Sequence, residues 1–522
     1  MSTVVLKKLT LANCSPEGLA QIIKDKKKVK DINYRAFLYL LKTSGSADDK
    51  NTYLAILRNL TMVVALFDKD CEDVFQEITS FQWEKLDGKF RGITKQFLIS
   101  LISSQPFYTN KVIDRSIRNL SLVDNDEKII IHGTNLELLK FISENMPTYM
   151  KFIQQKVLSN FPHKSKPLLD HQAYINNILK LGELIPSYFN DIIMTINERL
   201  IKIDVDISRS PFAVEKDELF SFEESQRSSD DEITEKLDVI LSQFLQYMRD
   251  NTSEENVGRW CKVLLLGFDA HILKAHIPPN VPFILFYFFN IHSSLKTVVL
   301  DYFWSVFADR NQPAIIRQSG IMYLASFTNR SASVGKGDLK KIMLSTATWC
   351  HTYISNNDEI SVKCNHTAFY AACQSLFYMF CYRHKEIFSS SEYKMFLDKV
   401  DLHLIVHCKL NPLKHCNQHI LRMFNKLTNM YEIVACSPVI ERNSRMLLPS
   451  TQLIGNEEYP FKSCLLNLTS KFIQPYFRDM ECSNEFQSEF RQYKISENFE
   501  DWDNVIGETS IAMSPDFQAM SL

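Results

Sequence analysis

Residues 311–330, NQPAIIRQSGIMYLASFTNR, constrain what this chain can fold into more than any other stretch. Pro313 suits the first turn of a helix, where the N–H it lacks would go unused and its fixed φ is already helical. Behind it Ile316, Ser319, Gly320, Tyr323, Leu324 and Phe327 recur at the spacing that puts side chains on one helical face. Arg317, Gln318, Asn329 and Arg330 are the polar members. Ser319 and Gly320 make a shallow spot on the apolar face, into which the backbone of a neighbouring helix fits. Such a helix needs other helices to cover it.

The rest of the chain supplies them. Helical periodicity runs through residues 53–67, 94–104, 136–145, 151–160, 170–185, 187–203, 233–249, 339–355, 368–385 and 414–436, with short polar or proline breaks between. Residues 368–385 are apolar nearly all round as far as Arg383, which places that helix inside the array. Glycine, at 13 of 522 residues, is well below its usual share of about 7%. Tight hairpins and glycine-rich nucleotide loops therefore have little to be built from, and no strand–helix alternation points to a parallel sheet. The fold expected is all-α. The order aliphatic–Arg, two small residues, then Leu in residues 316–324 resembles the second helix of a HEAT repeat, so a HEAT-like helical-repeat solenoid is expected. Such solenoids repeat every 40–47 residues or so, and no crisp repeat shows in the letters.

Composition shifts divide the chain into an N-terminal helical-repeat half (residues 1–207), an acidic Ser-rich loop (208–235), a C-terminal helical-repeat half (236–480) and an acidic, flexible tail (481–522). The most apolar run, VPFILFYFFNI at 281–291, falls short of the roughly 20 residues of a membrane helix and reads as a buried helix. No charged-then-apolar leader opens the chain, and twelve cysteines are too sparse for a disulfide framework. The protein reads as intracellular, reduced and soluble. A net charge of −2 offers nucleic acid no general attraction, so direct DNA contact would be secondary. The basic run Lys24, Lys26, Lys27, Lys28 and Lys30 reads first as a solvated loop or helix end; phosphate contact and an import signal are its alternatives.

Catalytic signatures are missing. No phosphate-binding loop, dinucleotide fingerprint, H-E-x-x-H, G-x-S-x-G or C-x-x-C occurs, and Gly335-Lys336-Gly337 fits none of these spacings. His403, His407, Cys408, His415, Cys416 and His419 form the one cluster with metal-ligand chemistry, the histidines pairing at i, i+4. Its spacing fits no standard zinc site, and helix-face histidines beside a turn are the plainer reading. No cofactor, metal or enzyme activity is expected.

Five ordered blocks carry a family resemblance: 311–327, 369–385 (FYAACQSLFYMFCYRHK), 410–414 (LNPLK), 440–449 (IERNSRMLLP), and 459–461 (YPF) with 471–476 (KFIQPY). Together they resemble the RNA polymerase I-specific transcription initiation factors of the TIF-IA type. The resemblance implies a HEAT-like fold and a non-catalytic adaptor in the nucleus and nucleolus. Such an adaptor bridges the stalk subunits of RNA polymerase I to the promoter-bound selectivity, or core, factor. It is switched by protein kinases and self-associates as a homodimer when free. A HEAT-type scaffold or transport factor outside transcription is the alternative. By the same resemblance Ser103 and Ser104 belong to the polymerase-facing surface, although serines bonded to local backbone at a helix end are as good a reading. Asn329, Arg330 and Lys336, within the segment TNRSASVGK at the exposed end of the 311–330 helix, fall where the selectivity factor is contacted. Ser228, Ser229 and Ser514 are candidate phosphosites, the first two upstream of Asp231-Glu232 and the third followed by Pro515. The acidic loops of the family are reduced here to residues 124–127 and 215–235.

Overall fold

The computed structural model describes residues 14–26, 32–46, 50–85, 88–123, 132–208, 229–275, 278–357, 366–389, 391–446, 459–464 and 466–479. Regular structure among them is helical; the one β contact is an isolated bridge between Ser331 and Phe477. The chain divides into two compact units, Met1–Leu285 with Leu465–Phe472, and Phe286–Cys464 with Ile473–Leu522.

The first unit holds α1 (Pro16–Asp25), α2 (Ile32–Ser46), α3 (Lys50–Val63), α4 (Glu72–Ser80), α5 (Gly88–Ser104), α6 (Thr109–Arg118), α7 (Gly133–Asn145), α8 (Met150–Ser159), α9 (Leu168–Leu184), α10 (Phe189–Ser208), α11 (Ser229–Asn251) and α12 (Val257–Gly267). α3, α5, α7, α9 and α11 pack in succession, each against the next, and so do α6, α8, α10 and α12. Helix pairs in tandem thus form two layers. Both neighbours of residues 209–228, α10 and α11, lie in this unit and pack on each other.

Three turns joining the helices of these pairs are one turn repeated: Gln105-Pro106-Phe107-Tyr108, Met146-Pro147-Thr148-Tyr149 and Ile185-Pro186-Ser187-Tyr188. A residue before proline is pushed out of the α region, because the ring crowds its backbone and Cβ. Gln105, Met146 and Ile185 accordingly sit at φ −133, −135 and −126° with ψ 84, 68 and 85°, and each ends its helix. Proline then starts a 3-10 turn, closed by the tyrosine N–H donating to the carbonyl of the residue before proline at 3.1, 3.1 and 2.9 Å. The turns recur about every forty residues. A repeat is therefore present where the sequence reading found none. It is written in Pro and Tyr positions, because the turn demands those residues while the helices accept many.

Two buried carboxylates in this unit, Glu84 and Asp204, are paired. Glu84, 3% exposed, receives Arg115 (Nη1–Oε1 2.5 Å) and Asn119 (2.9 Å), while Arg115 also donates to the carbonyls of Thr79 and Phe81 and lies over the Trp83 ring. Asp204 accepts from the Asn280 and Val281 N–H groups at 2.9 and 2.8 Å.

After α13 (Phe283–Ile291), the second unit holds α14 (Lys296–Ala308), α15 (Ala314–Arg330), α16 (Lys336–Asn356), α17 (Thr367–Phe388), α18 (Tyr393–Val400), α19 (Leu402–Val406), α20 (Gln418–Met430) and α21 (Ser437–Met446). α15 packs between α14 and α17, and α17 packs on α16 and α20. A Cβ at Gly320 would come within 3.0 Å of the Phe307 N and 3.2 Å of the Phe303 carbonyl oxygen, so glycine is what lets α14 and α15 approach this closely. Residues 414–436 are not one helix: Cys416 ends the 3-10 turn Pro412–His415, and Asn417 caps α20, its side chain accepting from His419 N–H at 2.9 Å.

Sequence-distant pieces complete this unit. Phe461 packs against Phe286, Tyr323 and Phe327, and Tyr459 stacks on Tyr378 with ring centroids 3.9 Å apart. Ser326 Oγ donates to the Pro460 carbonyl. The last short helix, α22 (Asn467–Ile473), starts in the first unit, where the Asp238 carboxylate accepts from the Leu468 and Thr469 N–H groups at 2.8 Å each. Among the described residues no single helix is long and apolar enough to cross a membrane.

Candidate partner-binding surfaces

Ser103 and Ser104 are the last two residues of α5, both exposed, and neither hydroxyl has a hydrogen-bond partner among the described residues. The reading as serines bonded to local backbone is thereby set aside. Pro106 opens the turn immediately beyond them, and Phe107 stands 41% exposed on it. The ammonium groups of Lys69 and Lys111 lie 5.3 and 4.6 Å from the centre of the Phe107 ring, and Lys111 also pairs with Glu72. Burial acts to raise the Glu84 carboxyl nearby in sequence, but Arg115 and Asn119 outweigh it and hold the group below the ordinary carboxylate range.

Two of these turns are tied together by a tyrosine, and a second tyrosine anchors the first of them to the Asp68 backbone. Tyr108 Oη donates to the Asp68 carbonyl at 2.6 Å, and Tyr149 Oη to the Pro106 carbonyl at 3.3 Å. Arg259 makes the corresponding bond to the Pro186 carbonyl. The Pro106 and Pro147 turns are thus joined, whereas Tyr188 Oη makes no such bond, and the two serines sit beside the Pro106 turn with its exposed aromatic ring flanked by cations. Sequence reasoning missed Phe107 and Lys111; the repeated X-Pro-X-Tyr would have pointed to them, since an apolar residue between Pro and Tyr has no core to enter.

The segment following α15 differs from expectation. Asn329 and Arg330 were expected at an exposed helix end, but they are 1% and 6% exposed. The cause is the return of residues 476–478: Ala332 N–H donates to the Tyr476 carbonyl at 2.9 Å and Arg478 N–H to the Arg330 carbonyl at 2.6 Å. Arg330 lies 4.9 Å from the centre of the Phe477 ring. From the other side Arg383, itself 2% exposed, donates to the carbonyls of Thr328 (2.9 Å) and Val334 (3.1 Å) and pairs with Glu386 at 2.6 Å. Burial would raise the Glu386 carboxyl, yet Arg383 and Arg478 hold it below its ordinary range. The polar turn of α17 at Arg383 is therefore not an exit to solvent but an interior clamp, marked by a break in its helical angles (φ −122, ψ 19°). Lys336 remains exposed, with Nζ 2.8 Å from Ser389 Oγ.

The remaining sequence candidates are scattered or internal. His403 and His407 have ring centroids 4.4 Å apart, whereas His415 stacks on Tyr370 and His419 meets Tyr382 Oη at 3.1 Å. Among the described residues no three His, Cys, Asp or Glu side chains are arranged to hold a metal ion. Lys26 is no solvated member of a basic run: its ammonium, 5% exposed, pairs with Asp68 and lies 2.7 Å from Cys71 Sγ. Lys24 is exposed, and Lys27, Lys28 and Lys30 lie outside the described residues. Ser228, Ser514, residues 124–127 and residues 480–522 also lie outside them, and Ser229 is placed only as the first residue of α11.

Tandem helix pairs stacked in two layers define an all-α class of fold. Sequence comparison makes the class particular: residues 16–232 and 211–484 match the family described as RNA polymerase I specific transcription initiation factor RRN3, and the chain belongs to that family. A Mus musculus protein named RNA polymerase I-specific transcription initiation factor RRN3 is 28% identical over 436 residues, covering 73% of this chain and 66% of its own length. Its Schizosaccharomyces pombe namesake is 24% identical over 476 residues, covering 82% of this chain and 79% of its own. The crystal structure of an RNA polymerase I transcription initiation factor Rrn3 superposes with a TM-score of 0.74 over 90% of this chain and 99% of its own, at 20% identity. That likeness establishes the fold.

Proposed function

We propose that this protein binds RNA polymerase I and bridges it to the promoter-bound selectivity factor, as a non-catalytic adaptor for ribosomal RNA synthesis in the nucleolus. Membership of the family supports the polymerase as partner, and the pair of exposed hydroxyls at Ser103 and Ser104 carries the placement of its surface. Uncommitted hydroxyls can donate to or accept from a partner at little desolvation cost, whereas a phosphate there must be stripped of water or paired with cations. Phosphorylation by protein kinases is then a switch at this surface. The selectivity factor is assigned to the neighbourhood of Lys336, with Asn329 and Arg330 as supports that hold the segment rather than as contacts. The free protein is read as a homodimer.

The test is co-purification of polymerase I stalk subunits with Ser103→Glu/Ser104→Glu. Loss of at least tenfold in recovered polymerase, with an unchanged unfolding midpoint, is the expected result, because exposed substitutions of this kind shift stability by no more than about 0.5 kcal/mol. Full retention would remove this surface from the polymerase interface. No polymerase recovered with the unaltered protein would return it to the class of scaffolds and transport factors.

A further inference from the structure

The second unit carries an open groove of about 890 Å³ between α14, α15 and α16 that neither proposed interface uses. Its floor is aromatic: Trp304, Trp349 and Tyr353 are half-buried, with Trp349 and Tyr353 stacked at 5.2 Å and Phe307 beneath Trp349 at 4.6 Å. Arg310 stands exposed at its rim and makes no hydrogen bond or ion pair among the described residues. Arg317 is anchored through Nε to the Phe307 carbonyl at 2.8 Å, which leaves its two terminal nitrogens uncommitted. Among the described residues no carboxylate lines the groove, and the neighbouring Asp309 accepts from the Asn311 N–H. An aromatic floor with free guanidinium groups and no acid fits an acidic peptide that carries aromatic side chains. Bases would stack on the same floor, but a nucleic-acid strand also needs a row of cations along its phosphates, which two arginines do not make.

The chain itself contains such a peptide. Residues 480–522 hold nine acidic and two basic residues, and ENFEDWDN at 497–504 interleaves Phe499 and Trp502 with Glu497, Glu500, Asp501 and Asp503. We infer that residues 497–504 occupy the groove in cis, Phe499 and Trp502 on the aromatic floor and the carboxylates on Arg310 and Arg317. The reach is sufficient. Arg478, close to the last described residue, donates to the Val334 carbonyl beside the N-terminal end of α16. The groove begins at Leu344, eight residues along that helix from Lys336, so about 12 Å away at 1.5 Å per residue. The 18 residues from 480 to 497 extend to about 60 Å. Tethering raises the local peptide concentration to the millimolar range, so modest affinity fills the groove. A partner bearing a similar acidic–aromatic segment then competes with the tail.

The test uses the full chain with the photocrosslinker p-benzoylphenylalanine placed at Phe499 and crosslinks mapped by mass spectrometry. Intramolecular crosslinks to residues 304–357 are expected. Arg310→Glu with Thr352→Glu, both at exposed positions, reduces them at least tenfold, and adding Glu500→Arg with Asp503→Arg restores them, which a misfolded groove would not allow. Crosslinks elsewhere, crosslinks only between two copies, or insensitivity to the groove charges would overturn the inference. So would quenching of tryptophan fluorescence by oligouridylate that Arg310→Glu abolishes, since the groove would then belong to nucleic acid.

Discussion

The two units solve the same problem, covering the apolar faces of helices, by different means. In the first unit the cover for each helix pair is the next pair, and a proline-started turn resets the chain about every forty residues. Its interior tolerates charge, as at Glu84 and Arg115, because the donors that satisfy Glu84 come from fixed points on neighbouring helices. In the second unit α15 is buried on all sides from Gly320 to Arg330, and the cover comes from residues 459–464 and 476–478, far away in sequence. Aromatic rings fill that interior: Phe286, Tyr323, Phe327 and Phe461 meet edge to face, and Phe377 stacks on Phe424. A repeat leaves turns free along an edge, where partners can read them. A wrapped core takes its cover from chain far away in sequence.

This contrast predicts that the first unit is most sensitive to loss of a charge. Arg115→Ala leaves Glu84 buried without its cation, and a broken buried pair costs about 3–5 kcal/mol. Hydrogen exchange is the appropriate measure, because it reads the two units separately: amides of α4 to α7 should lose protection, while those of α14 to α17 keep theirs. Equal loss in both units would mean that they do not unfold as separate bodies. The same pair sets an acid limit. The Glu84 carboxyl is held below its unfolded value of about 4.3. Its contribution is therefore complete above that pH and is lost as pH falls through the lower folded value. Protection of the first unit should decline below about pH 4.3, and Glu84→Gln should start lower and decline less.

The second unit should instead respond to volume. At Gly320 a side chain meets backbone atoms of Phe303 and Phe307, which cannot swing away, so Gly320→Val should cost about 1–3 kcal/mol by overpacking. A normal unfolding midpoint for this variant would show that α14 and α15 can separate without loss. This approach of two helices was legible in the sequence, where small residues interrupt an apolar face. Ser319 was read with Gly320 but stays half-exposed, its hydroxyl returned to the Ile315 carbonyl. Helix positions were likewise legible from periodicity, and the exposure of Ser103 and Ser104 agrees with their place at a helix end. The burial of Asn329, Arg330 and Arg383 was not legible. Polar residues normally mark solvent, and only the return of a segment some 150 residues away makes them interior. Period and local turn chemistry are local signals; partners across such a distance leave none.

The smallest effect tests whether the repeated turns act as a connected edge. Tyr108 Oη bonds the Asp68 carbonyl at 2.6 Å in a buried setting, and Tyr149 Oη bonds the Pro106 carbonyl at 3.3 Å nearer to solvent. Removing a buried hydroxyl leaves its carbonyl acceptor short of a partner, whereas water replaces an exposed one. Tyr108→Phe should therefore cost about 0.5–1.5 kcal/mol and Tyr149→Phe less than that. If the bonds also set the register of the edge, Tyr149→Phe will weaken recovery of polymerase I stalk subunits more than its stability cost explains, since it frees the turn that follows Ser103 and Ser104. A loss of binding in proportion to stability alone would leave the tyrosines as packing and the serines as independent contacts.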